Sequence, residues 1–164
     1  MKISDDFYDE SENRTMAIIF GIFCGVAAAM ATVSYAGAAY VFIGILVGTL
    51  LAFKIDGSHH VITLIIYILI SLIMGLPSMQ VPVILICVLA ALSDEVGHEL
   101  ISNYTENVFF NMFFEYRFIM KIVVFLLALC GVFSFWTFIF FILFELSYLM
   151  GGLVFEKVIK KENY

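Results

Sequence analysis

The sequence predicts an all-α protein: a polytopic transmembrane bundle of six spans, laid out as three hairpins, with both termini in the cytoplasm. Three observations predict it. Of the 164 residues, 63% are hydrophobic and only 13% are charged, against about 25% charge in an ordinary soluble domain. The hydrophobic residues fall into six runs divided by short turns or charged loops. All eight Lys and Arg residues lie at one set of run ends and none at the other. So little polar surface cannot cover a water-soluble globule. The net charge of −6 excludes nucleic-acid binding through a basic face.

The first run covers Thr15 to Tyr35, and the second Gly37 to Phe53 after a small-residue turn. The third, Val61 to Leu76, stops at Gly75-Leu76-Pro77-Ser78. The fourth, Val81 to Leu92, continues as helix through Asp94 and Glu95. The fifth is Phe118 to Phe133 and the sixth Trp136 to Phe155. A helix needs about 17 to 25 apolar residues to cross a bilayer, so the polar ends of the shorter runs must complete their crossings. Helices are required because lipid offers backbone groups no partners. Lys2, Arg14, Lys54, Arg117, Lys121, Lys157, Lys160 and Lys161 then mark the cytoplasmic side. Residues 15–157 form the transmembrane domain and 158–164 a short basic tail.

Residues 1–14 form an acidic cytoplasmic tail with Asp5, Asp6, Asp9, Glu10 and Glu12. The expected state is a solvated end, with docking to a basic partner as the sharper alternative. Cys24, Cys87 and Cys130 each lie in an apolar run and are expected to pack as thiols, without disulfides. Gly21-x-x-x-Gly25 and Gly44-x-x-x-Gly48 allow close helix approach, expected within the first helix pair.

The polar side chains carry the chemistry. Glu145 stands midway along the sixth run. A carboxylate at that depth costs about 2.5–3.5 kcal/mol on insertion scales. Neither Phe144 nor Leu146 offers it a partner, so one must come from another helix. It is a candidate proton-transfer residue, and Tyr148 shares its face. The bland alternative is a protonated Glu making one interhelical hydrogen bond.

Two windows pair carboxylates with histidines. Asp56 precedes His59 and His60, and Asp94 and Glu95 precede His98, at spacings of three or four. Such residues share a helix face and can hold one cation together. The ligand chemistry is analogous to that of di-metal helix bundles, where Glu-x-x-His turns join single Glu residues from other helices. Glu115 and Glu145 could supply the corresponding single ligands here. The expected cofactor is a divalent metal: Mg, Mn, Zn or Fe. Water-facing, helix-capping acids and histidines are the bland reading.

Arg117 and Lys121 open the fifth run and form a candidate anion site, through bidentate Arg bonding and a Lys point charge. Snorkelling to lipid headgroups is the plain alternative. A metal site beside an anion site is the inventory that a phosphorylated lipid requires.

The leading expectation is therefore a divalent-metal-dependent enzyme acting on a phosphorylated or amphiphilic membrane lipid, with Glu145 or Glu99 moving a proton. A proton or divalent-metal transporter or channel through Glu145 is the second reading. An accessory subunit of a larger membrane complex is the third. A homo-oligomer or a membrane-complex partner is compatible with all three. The one-sided polar cluster favours the first.

Overall fold

The structure is a computed structural model and describes residues 1–55, 57–104, 113 and 116–159. Seven α-helices and no strand occur among them: α1 (Lys2–Asp9), α2 (Arg14–Ser34), α3 (Ala36–Leu51), α4 (Ser58–Met74), α5 (Val81–Tyr104), α6 (Phe118–Leu129) and α7 (Phe135–Val154). A π-helical turn, Phe155–Ile159, follows α7. The six apolar runs correspond to α2–α7. The stretch from Ile101 to Phe114, with Asn103, Glu106 and Asn111 among aromatics, reads in the sequence as an interfacial helix; residues 101–104 are the last turn of α5, and residues 105–112 and 114 lie outside the described residues.

Local chemistry sets the helix limits. The Asn13 side chain accepts a hydrogen bond from the Met16 N–H at 3.1 Å and opens α2. Gly75, at φ +84°, ends α4 in a conformation that L side chains rarely adopt.

Three helices, Arg14–Ser34, Val81–Ile101 and Phe135–Lys157, are long and apolar enough to cross a membrane. At most a third of each apolar window (17% to 33%) is buried inside the protein. Phe23, Leu72, Ile73, Leu89 and Trp136 stand exposed. An apolar surface of this extent belongs against lipid.

In lipid, helices associate through close packing and hydrogen bonds rather than the hydrophobic effect. The glycine motifs supply the close packing, but not within the first helix pair as the sequence suggested. A methyl group added at Gly25 would sit 2.8 Å from the Thr63 carbonyl oxygen, so α2 presses its notch onto α4. One added at Gly44 or Gly48 would sit 2.7 Å from the Cβ of Cys87 or Ala91, so α3 does the same to α5. Both pairs are parallel, since Gly21 and Gly25 meet His59 and Thr63 in rising order and Gly44 and Gly48 meet Cys87 and Ala91 likewise. A Thr32–Tyr67 hydrogen bond of 2.9 Å joins α2 and α4 further along. The main core then forms where α3 and α5 meet α6 and α7, around Tyr40, Cys87, Met120, Val124 and Phe141.

The two ends differ in chemistry. At one, Phe7 of α1 packs edge-on against Phe155, with ring centroids 5.0 Å apart. The same end holds the start of α4, the C-terminal part of α5 and the start of α6, with their charges. At the other, Tyr35 and Thr137 share a 2.9 Å hydrogen bond and the Gln80 N–H donates to the Tyr40 hydroxyl at 2.6 Å.

Candidate metal centre

The acidic N-terminus is only partly the solvated end that the sequence suggested. Asp5 and Asp6 lie on the inner side of helix α1, whose Ile3 and Phe7, four residues apart, turn one apolar stripe inward, while Asp9, Glu10 and Glu12 stay exposed. The Ser4 hydroxyl donates to the Ala17 carbonyl at 2.7 Å, and Lys2 and Asp6 pair at 2.8 Å. Phe7 also stacks on Phe20 at 5.5 Å. These contacts hold α1 across the start of α4 and bring Asp5 to the histidines.

Asp5 Oδ1 lies 3.1 Å from His59 Nε2 and 3.5 Å from His60 Nε2. One ligand atom from each of the three residues falls within 4.8 Å of the others. A tetrahedral ion with ligands at about 2.1 Å spaces them about 3.4 Å apart, so the set is close to ligating geometry. His59 is only 2% exposed. Its ring packs between Tyr8, at 4.5 Å, and His60, at 4.1 Å. Its Nδ1 is buried without a hydrogen-bond partner among the described residues. Gly57 makes room for this ring: any Cβ there would overlap Cε1 and Nδ1 of His59. Burial pushes the Asp5 carboxyl above its ordinary value, and the neighbouring His60 and His59 pull it back. A partly desolvated carboxylate between two imidazoles is an environment that a cation relieves.

The other residues singled out from the sequence are placed as follows. Asp56 and Glu115 lie outside the described residues. Asp94, 1% exposed, accepts the Ile119 N–H at 3.0 Å and the Met120 N–H at 2.7 Å. It thus caps α6 from the neighbouring helix. Arg117, which precedes α6, sits in the left-handed region at φ 48° and gives no side-chain cap of its own. Glu95 pairs with Arg117 at 2.9 Å, and the guanidinium lies 6.0 Å above the Tyr148 ring. His98 is exposed on α5. Glu99 is an exposed residue 3.5 Å from Lys54. The second carboxylate–histidine window is therefore spread over separate contacts.

Glu145 finds its partner on another helix. It is 7% exposed and lies 3.1 Å from Lys121 of α6. Lys121 Nζ also donates to the Tyr116 carbonyl. Lys121 is thereby committed to α7 and to its own helix start, while Arg117 remains at the polar end.

A cavity of about 370 Å³ unites several of these groups. Asp5, His60, Lys54, Glu95, Arg117 and Tyr148 line its polar part. Ala27, Ala28, Leu46, Phe42 and Phe144 line its apolar part. Sequence reasoning missed Asp5 and Lys54 as site residues. The Ile3–Phe7 spacing was the available sign that α1 docks. Comparison with protein-family models, with curated proteins and with solved structures gives no match.

Proposed function

We propose that this chain is a multi-pass cell-membrane protein that holds a divalent cation on Asp5, His59 and His60 and acts on a phosphorylated amphiphile from the cytoplasmic leaflet. The observation that carries the proposal is the cavity: two of the three cluster residues, the cations Lys54 and Arg117, and an apolar wall share one space of about 370 Å³.

The topology in this proposal is six spans with both termini in the cytoplasm. The contact of Phe7 with Phe155 supports it, because it puts the two ends of the chain together. The parallel pairs α2–α4 and α3–α5 are what alternating spans require. The gathering of charge at the same end supports its cytoplasmic placement.

Three protein ligands leave a coordination position for substrate or water, as catalytic sites do. Two imidazoles and one carboxylate suit Zn, Fe or Mn better than Mg, which prefers oxygen alone. A bound cation would polarise a phosphoryl oxygen or lower the pKa of a bound water. Arg117, steadied by Glu95, and Lys54 would grip the remaining anionic oxygens. The apolar wall would take the chain. Glu95 and Tyr148 are the polar α5 and α7 side chains on this cavity. Glu145 is turned toward Lys121 and is not among the residues lining this cavity, so the proton role that both the enzyme and the transporter expectations gave it is left out of this proposal.

The test is conversion of defined phosphorylated lipids (phosphatidic acid and a long-chain alkyl diphosphate) in nanodiscs, followed by phosphorus NMR with and without Mn²⁺ or Zn²⁺. Metal-dependent conversion or retention by the natural protein, lost in His60→Ala, is the expected result. Absence of both for every lipid with metal present would overturn the proposal.

A further inference from the structure

A second cavity, of about 290 Å³, lies toward the uncharged end of the bundle. Ala31, Ala38, Val41, Phe140 and Phe141 contribute to its lining, and no charged residue among the described ones does. The polar side chains Tyr35 and Thr137 at its edge satisfy each other at 2.9 Å. Phe42 and Phe144 line both this cavity and the larger one. Their rings meet edge to face, 5.2 Å apart at 84°. The two spaces thus lie end to end with one aromatic pair between them.

The α2 wall is continuous across that pair. Ala27 and Ala28 face the first space, and Ala31 and Ser34 face the second. Residues at these spacings share a helix face. Their side chains are too small to fill the gap between α2 and α7, which leaves a lane of unfilled space, interrupted by the aromatic pair, from the charged end toward the uncharged one. Its charged mouth and apolar remainder match a single-chain amphiphile with an anionic head.

We infer that the second cavity is the distal part of a chain-binding groove, and that the Phe42–Phe144 pair is the stop that sets the chain length the site accepts. The inference rests on the amphiphile reading above. Chains that end at the pair fill the first space alone. Longer ones must part the rings to gain the second.

The experiment measures binding of n-alkyl phosphates of increasing length, below their micellar concentrations, to the full chain held in amphipol. Affinity should rise about fourfold per methylene while each added group is buried. In the natural protein the rise should break off at one length. In Phe144→Ala, with Phe42→Ala as a second variant should the first unfold, the break should move to longer chains. Ala38→Phe added to the open variant should move it back by filling the second space. A smooth rise in the natural protein, as partition into the amphipol gives, would overturn the inference. So would the same break point in both open variants. The same lengths with a trimethylammonium head separate the two claims. A break seen there beside a flat phosphate series upholds the groove and removes the phosphate reading. Flat series for both heads remove both.

Discussion

Asp5 Oδ1 lies 3.1 Å from His59 Nε2, a contact across 54 residues of chain. It joins the acidic N-terminus to the two histidines in a three-residue cluster at the edge of the larger cavity, which Asp5 also lines. Without α1, His59 and His60 would form an adjacent histidine pair at a helix start. With it, they share a carboxylate, and Asp5 and His60 face a space that Lys54 and Arg117 also line.

The position of the His59 ring depends on Gly57. Any side chain at residue 57 would overlap that ring, which is already held between Tyr8 and His60. Gly57→Ala is therefore expected to weaken metal binding by roughly 10- to 100-fold, the range seen when a ligand's orientation is lost. Titration of the purified protein with Zn²⁺ against a competing chelator measures this. Unchanged affinity would mean that the ring moves freely.

Asp94 is expected to stabilise the fold without holding metal. Its carboxylate receives two backbone N–H groups at the start of α6, at 3.0 and 2.7 Å. Hydrogen bonds to a charged group contribute about 1.5–3 kcal/mol each, and loss of a cap about 0.5–2 kcal/mol. Asp94→Ala should lower stability by about 2–3 kcal/mol, read from unfolding in detergent, with metal stoichiometry retained. Loss of metal from a folded Asp94→Ala protein would return Asp94 to the ligand set.

The Lys121–Glu145 pair distinguishes structure from proton transfer. Removing one member of a buried pair strands the other, at a cost of about 3–5 kcal/mol, whereas replacing both by apolar residues is often neutral. Glu145→Leu should therefore destabilise strongly, and Lys121→Leu combined with Glu145→Leu should recover most of the loss. The double variant should still bind metal. Loss of metal-dependent lipid conversion in a stable double variant would show that the pair serves chemistry.

Much of this was legible in the sequence. The six apolar runs coincide with α2–α7 because hydropathy over such lengths leaves few alternatives to helix. Glu145 announced a partner on another helix, since a buried carboxylate between Phe144 and Leu146 has none nearby. His59 and His60 were singled out by type and spacing. Their third companion was not, because the acids of residues 5–12 were read by composition, and the Ile3–Phe7 stripe that docks α1 is only one turn long. The roles of Asp94 and of the glycine motifs depended on which helix lies alongside. Local spacing shows that Gly25 and Gly48 form notches. Only the tertiary arrangement shows that they receive α4 and α5.

The central claim is that Asp5, His59 and His60 form one cation site. Titration of the full-length protein with Co²⁺, followed by visible absorption, tests it most directly. One ion per chain is expected, with binding lost in Asp5→Asn and His60→Ala and retained in His98→Ala. Undiminished binding in Asp5→Asn, or loss in His98→Ala alone, would contradict the account.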